Sequence, residues 1–339
     1  MFRYRKVLGS ILAIILAISC VCCGKSNSAT SEIEENSDQI VIGFSQPGAE
    51  SAWRVALTDS VKEVFTEARG YKLIYKDGQS KQDKQIRDIR TFIQQGVDYI
   101  IICPIVETGW DTVLSEAKQA GIPVIICDRN VVVSNESLYT AFVGSDFQAE
   151  GEKAISYIED KYYLEEEGTY KDLNIVHIQG TLDSSAQLGR TEALEKAVEE
   201  HDNWNIIVQE CGDFTKAKAR EIMKKTLEEV DPKTIDVIYC ENDEEAMGAI
   251  AALNEIGIHY GDGNQITVVS FDATNSALEM CLNGQISCIV ECNPLQGPYL
   301  LNIVEMLNAG KMVPKITYIE ENCYTKDNLS EDFIKSRKY

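Results

Sequence analysis

Residues 40–54 read IVIGFSQPGAESAWR: a β-branched apolar run, a polar pair (Ser45, Gln46), a short loop, then the opening of a helical pattern at Ser51, Trp53 and Arg54. The same grammar recurs along the chain. The run 124–127 ends in Asp128-Arg129, 175–178 in Gln179-Gly180, and 237–240 in Glu241-Asn242-Asp243. The run 268–271 ends in Asp272, and 288–290 in Glu291-Cys292-Asn293. A short apolar run followed by a helix of period 3.6 is the unit of a parallel sheet covered by helices. In such sheets the carboxyl ends of the strands border the ligand crevice.

Working outward, strands read at 40–45, 72–76, 99–103, 123–127, 140–144, 173–179, 205–210, 236–240, 266–271 and 286–291. Helical spacing marks Leu57, Val61, Val64, Phe65 and Ala68 as one buried face, and Ile86, Ile89, Phe92 and Ile93 as another. Gly96 and Gly121 stop helices just ahead of the next strand. The loop 164–172 breaks the series, and a second copy of the pattern opens at about residue 173. The expected architecture is α/β, with two doubly wound parallel-sheet lobes whose strand ends face one shared, hinged cleft.

The N-terminus addresses the chain outside the cytoplasm. Arg3, Arg5 and Lys6 precede an apolar stretch at 7–18, too short to span a bilayer and suited to an export signal. It runs into Ser19-Cys20 and then Cys22-Cys23-Gly24, which resembles a bacterial lipoprotein signal. Cys20 is the expected lipidated residue and Cys23 the alternative. Residues 24–38 are polar and read as a flexible tether. The membrane is then reached only through the lipid. A net charge of −22 argues against nucleic acid, whose phosphates require clustered cations. Eight further cysteines lie mainly in apolar runs without zinc spacing and read as buried free thiols.

Nothing in the chain reads as catalytic machinery or as a cofactor site. The three histidines, His177, His201 and His259, have no metal spacing, and no phosphate loop or nucleophile elbow is present. Asp128 and Asp272 could form a glycosidase pair, but Arg129 and Arg190 beside them would lower both carboxyl pKa values and keep both as acceptors. Strand-end Asp, Asn, Arg and Gln with an aromatic plate suit a neutral polyhydroxylated ligand, above all a sugar. Trp53 is the favoured plate, with Phe44 and Trp110 behind it. Arg190, eleven residues after Gln179, can fold back to the strand ends and pair with Asp272 or Asp128. Its loss should weaken binding and leave folding nearly unaffected.

These residues resemble a known family. The stretches 41–54, 77–82 (DGQSKQ), 95–100 (QGVDYI), Asp128-Arg129, 212–215 (GDFT), Asn242-Asp243 and Asp272 are similar to the sugar-binding proteins of bacterial ABC importers, ribose/galactose type. The likeness spans about residues 39–320, and 50–54, 108–110 and 212–215 are nearest to its galactofuranose-binding branch. The resemblance implies a type I periplasmic-binding-protein fold with a three-strand hinge. It implies a first lobe of 39–144 plus 293–316 and a second of 145–292 plus 317–339, after a signal at 1–23 and a tether at 24–38. It places ligand contacts at Gln46, Glu50, Ser51, Trp53, Arg54, Asp128, Arg129, Arg190, Asn242, Asp272 and Asn293. The implied partners are a monosaccharide such as galactofuranose or galactose and an ABC permease, or alternatively a membrane sensor kinase, for a monomer. Pro47, Ala49 and Ala52 depart from the family's commoner first loop.

Overall fold

The computed structural model describes residues 39–339; the signal, the tether, Cys20 and Cys23 lie outside them. The first lobe is built from β1 (Ile40–Gln46), α1 (Ala52–Val64), β2 (Tyr71–Asp77), α2 (Gln82–Gln95), β3 (Tyr99–Ile102), α3 (Asp111–Gln119), β4 (Val124–Asp128) and β5 (Ala141–Gly144). The chain then enters the second lobe through α4 (Phe147–Tyr162), a small hairpin of β6 (Tyr163–Leu164) and β7 (Thr169–Tyr170), and β8 (Leu173–Gln179). There follow α5 (Ser185–Glu200), β9 (Trp204–Cys211), α6 (Lys216–Glu229), β10 (Val237–Cys240), α7 (Asp243–Glu255), β11 (Thr267–Asp272), α8 (Asn275–Leu282) and β12 (Cys288–Glu291). It returns to the first lobe for α9 (Gly297–Asn308) and β13 (Ile316–Tyr318), then ends in the second with β14 (Cys323–Tyr324) and α10 (Glu331–Ser336).

The two sheets repeat one topology. Their orders are β13-β5-β4-β3-β1-β2 and β14-β12-β11-β10-β8-β9, and every pairing within them is parallel except that of β14. Fully buried runs such as Tyr99–Ile102 and Val124–Asp128 are what a sheet covered on both faces requires. Ile42, Phe44, Leu57 and Leu300 fill one face of the first sheet, and Ile89, Phe92, Trp110 and Phe142 the other. The second sheet is likewise sandwiched, with Ile238, Leu253 and Leu278 on one side and Ile158, Leu194 and Phe271 on the other.

Three crossovers join the lobes, at 145–146, 292–296 and 319–322. One expected boundary is corrected. Ile316–Tyr318 pairs in parallel with β5, Ile316 against Phe142, so residues 317 and 318 extend the edge of the first sheet and do not begin the second lobe. The loop 164–172, read as a plain break, carries the β6–β7 hairpin.

Candidate functional site

Ser51 sets the first side of the cleft. Its Oγ accepts the Arg54 N–H at 3.1 Å, capping α1 so that Trp53 and Arg54 occupy the first turn at the strand ends. The Arg54 guanidinium donates from Nε to Glu50 Oε1 (3.1 Å) and from Nη1 to Asp128 Oδ2 (2.5 Å), with Cys103 Sγ at 3.1 Å from both Nη1 and Oδ2. Burial pushes the Glu50 carboxyl up, but Arg54 and then Arg129 outweigh it and hold it below the usual carboxylate range. The Trp53 indole N–H donates to the Cys292 carbonyl at 2.6 Å, which ties α1 to the second crossover.

Asp128 ends β4 at φ 60°, a left-handed conformation that costs a non-glycine residue free energy and is tolerated where the surroundings over-determine it. Here the constraint is visible: its N–H donates to Gln296 Oε1 at 2.9 Å. Next in the chain, Arg129 lies 2% exposed, with its guanidinium carbon 5.1 Å from the centre of the Phe214 ring. Nη1 donates to the Ile105 carbonyl at 3.2 Å, while Nε has no partner within the protein. Burial, then repulsion from Arg54, lowers its pKa from the ordinary arginine value.

The second lobe supplies Arg190 from α5. Its Nε and Nη2 reach Glu150 Oε2 at 2.8 and 2.7 Å, and Nη1 donates to the Glu241 carbonyl. Asp272 Oδ1 stands 3.8 Å from Nη2. Glu150, which sequence reasoning did not single out, is therefore the principal partner, in place of Asp272 or Asp128. This changes the electrostatics of Asp272. Burial drives its carboxyl well above the usual range, and an arginine already bound to Glu150 offsets that only in part. The expectation that arginine lowers it is corrected. Like Asp128, Asp272 has a positive φ, 105°.

Asn242 caps α7, its Oδ1 accepting the Glu245 N–H at 2.8 Å, and its Nδ2 donates to the Phe214 carbonyl at 3.2 Å. Phe214 (φ 57°) presses its ring onto Gly180, where an added Cβ would fall 1.9 Å from Cζ. Only glycine permits that approach.

These side chains border about 310 Å³ of atom-free space between the lobes, part of it open to solvent. Nine expected residues line it together: Glu50, Ser51, Trp53, Arg54, Asp128, Arg129, Arg190, Asn242 and Asp272. Two do not. Gln46 is fully buried and donates to Thr58 Oγ1 (2.9 Å) and the Arg54 carbonyl (3.3 Å), so it anchors α1 from behind. Asn293 uses its Oδ1 on the Leu295 N–H (2.9 Å) and its own N–H on Glu321 Oε1 (2.7 Å), bracing the second crossover. Phe147, Ala186, Phe214 and Cys292 complete the wall. Of these, Phe214 had a signal in the sequence within the GDFT stretch and Cys292 in its strand-end place after 288–290; Phe147 and Ala186 carry none at the residue level. Phe44 and Trp110 are fully buried core residues and do not face the space.

Chemically, the wall offers three guanidinium groups and an amide as donors, carboxyl groups as acceptors, and the rings of Trp53, Phe147 and Phe214 as apolar plates. The buried His177 lies outside this wall and bonds Glu241 Oε1 at 2.9 Å. Among the described residues, Glu150, Cys292 and Glu321 bring ligand-type atoms within 4.8 Å of one another. Arg190, bonded to Glu150, already occupies the cationic position there and opposes a metal ion.

Comparison with known proteins agrees with this geometry. The model of the periplasmic binding protein domain matches residues 42–311. The chain is 35% identical over 325 residues to the galactofuranose-binding protein of Escherichia coli strain K12, covering 95% of this chain and 98% of that protein. It is similar to a Mycobacterium smegmatis protein solved in complex with β-D-fucofuranose (36% identity, 85% of this chain and 92% of that one, TM-score 0.78). It is also similar to the periplasmic binding protein component of the arabinose ABC transporter of Shewanella sp. ANA-3, solved with α- and β-L-arabinofuranose (34% identity, 88% and 96%, TM-score 0.80).

Proposed function

The chain belongs to the periplasmic binding protein domain family, and from that premise we propose that it captures a monosaccharide in its furanose ring form and delivers it to an ABC permease. The observation that carries the reading is the cavity wall, in which three guanidinium groups and two strand-end aspartates from both lobes converge beside aromatic rings. Each sugar hydroxyl is at once donor and acceptor. Arg54, Arg129 and Arg190 donate to hydroxyl oxygens, Asp128 and Glu50 accept hydroxyl protons, and Asp272, whose carboxyl burial shifts towards the neutral form, can do either. Arg129 Nε and Glu50 Oε2, both buried without a protein partner, are a free donor and a free acceptor. The furanose preference is supported by the relatives, whose names or bound ligands specify galactofuranose, fucofuranose and arabinofuranose.

The test is a thermal-shift panel of ring-locked methyl furanosides and pyranosides together with the free pentoses and hexoses. A ligand at 100 times its dissociation constant should add about 2.7 kcal/mol of stability. Furanosides should shift the transition at lower concentration than pyranosides. An equal response to both ring forms removes the furanose assignment, and no response to any sugar removes the sugar reading. The sensor-kinase alternative uses the same cleft and has less support, since several relatives are named as import binding proteins or as part of an ABC transporter. The protein acts outside the cytoplasmic membrane, as a monomer tethered by a lipid on Cys20 in this reading. Cys20→Ser should release it or stall its processing; if Cys23→Ser does so instead, Cys23 is the anchor.

A further inference from the structure

Two thiols meet where the chain finally returns to the second lobe. Cys288 opens β12 and Cys323 opens β14, antiparallel neighbours in which Val290 stands opposite Cys323 and Ile289 opposite Tyr324. Cys288 lies two residues from Val290 on the same strand, so it shares a face with Cys323 on the diagonal of the ladder. Their sulfurs are 3.2 Å apart, about 1 Å beyond the ~2.05 Å of a disulfide bond. The family places the protein outside the cytoplasm, in compartments where disulfides form and persist. We propose that Cys288 and Cys323 are a disulfide-forming pair, a redox site that fastens the third crossover to the sheet of the second lobe.

The two cysteines are suited to different parts in the reaction. Cys323 is part-exposed and reachable, whereas Cys288 is fully buried. The hydrogen bond between the two sulfurs, in which either can donate, holds the Cys323 pKa below the ordinary thiol value against burial, with Lys153 nearby. Cys323 thiolate attacks one sulfur of a disulfide oxidant, forming a mixed disulfide and releasing one thiolate. Cys288 gives its proton to that thiolate and attacks Cys323 Sγ, expelling the second half of the oxidant as a thiolate, which takes up from water the proton that Cys323 had released on ionising. The pair loses two electrons and two protons, and the oxidant becomes two thiols.

The closed ring spans residues 288–323. It encloses the whole second visit to the first lobe: the second crossover, α9, β13 and the third crossover. Both ends of that excursion would be joined at one point. β14, a two-residue edge strand with two paired positions, would be held covalently in place. A ring of this length restricts the unfolded chain strongly.

The experiment treats the native full-length protein with oxidised glutathione, blocks remaining thiols with maleimide under denaturing conditions, and maps peptides by mass spectrometry. The expected result is a Cys288–Cys323 cross-linked peptide. The thermal midpoint should rise by roughly 5–10 °C, reverse with dithiothreitol, and stay unchanged in the oxidised Cys323→Ser variant. Cys288→Ala provides the same control from the buried side. A stable mixed disulfide on Cys323 without ring closure would overturn the proposal. So would cross-linking of Cys288 or Cys323 to any other cysteine, or full maleimide labelling of both after oxidation.

Discussion

Arg190 serves binding and folding together, and the two effects separate on mutation. Its guanidinium faces the cavity while it neutralises the buried Glu150. Arg190→Ala should weaken sugar binding by about 30-fold or more, the scale of removing one desolvated charged contact. It should also destabilise the fold by about 3–5 kcal/mol, because Glu150 is left buried and unpaired. The sequence-level expectation of nearly unaffected folding is thus revised by a partner forty positions away. Titration calorimetry and urea unfolding decide it; affinity within threefold of the parent removes Arg190 from the site, and unchanged stability removes the Glu150 argument. The two strand-end aspartates make a second test. Burial shifts the Asp272 carboxyl towards its neutral form, so Asp272→Asn should keep affinity within about threefold. Asp128 accepts a charge-assisted hydrogen bond from Arg54 at 2.5 Å, and Asp128→Asn should cost about tenfold or more. Calorimetry giving equal losses for both variants would contradict this division of roles.

Among the elements, the crossovers hold chemistry that periodicity does not reveal. Glu321, in the third crossover, accepts the Asn293 N–H from the second (2.7 Å), and the Ser145 hydroxyl of the first donates to it (2.6 Å). Its carboxyl is pushed up to about 9, first by burial and then by repulsion from Glu150. Between its unfolded pKa, about 4.3, and about 9, the unfolded chain ionises Glu321 while the folded protein keeps it protonated. Stability must therefore fall as pH rises through that window, by at most about 1.4 kcal/mol per pH unit from this group. Urea midpoints measured from pH 5 to 9 should decline more steeply for the parent than for Glu321→Gln, which cannot ionise. Parallel profiles would show that Glu321 is not held protonated. The helix caps were easier to read: Ser51 and Asn242 announce their helices in the sequence because capping is a local interaction.

On the scale of the whole molecule, the lobes touch directly across the cleft. The Glu107 N–H donates to the Asp183 carbonyl at 2.9 Å, and the Asn130 N–H to Ser185 Oγ at 2.8 Å. Trp53, Arg54, Asp128 and Arg129 come from one lobe, and Arg190, Asn242 and Asp272 from the other. A ligand that binds both sets favours the form in which both are in reach. Adding saturating sugar should therefore reduce the radius of gyration measured by X-ray scattering. An unchanged profile at saturation would mean that one lobe carries the site or that the lobes do not hinge.

Ten of the twelve strands of the two sheets were legible in the amino-acid sequence, because burial on both faces demands uninterrupted apolar runs with helical periods between them. The nine cavity residues were legible too, by strand-end position and by likeness to a family. Long-range packing decided the rest. The edge strands β13 and β14 are too short to carry a pattern, and their sheet membership depends on which edge is left open. Gln46 and Asn293 sit where the pattern expects ligand contacts but turn to backbone and side-chain partners that only the folded crossovers and α1 supply. Whether Arg190 meets Glu150 or Asp272, and hence how far the arginine offsets the burial of the Asp272 carboxyl, depends on distances between separate helices and strands. Coulomb energy and desolvation vary with those few ångströms, and no local spacing in a sequence records them.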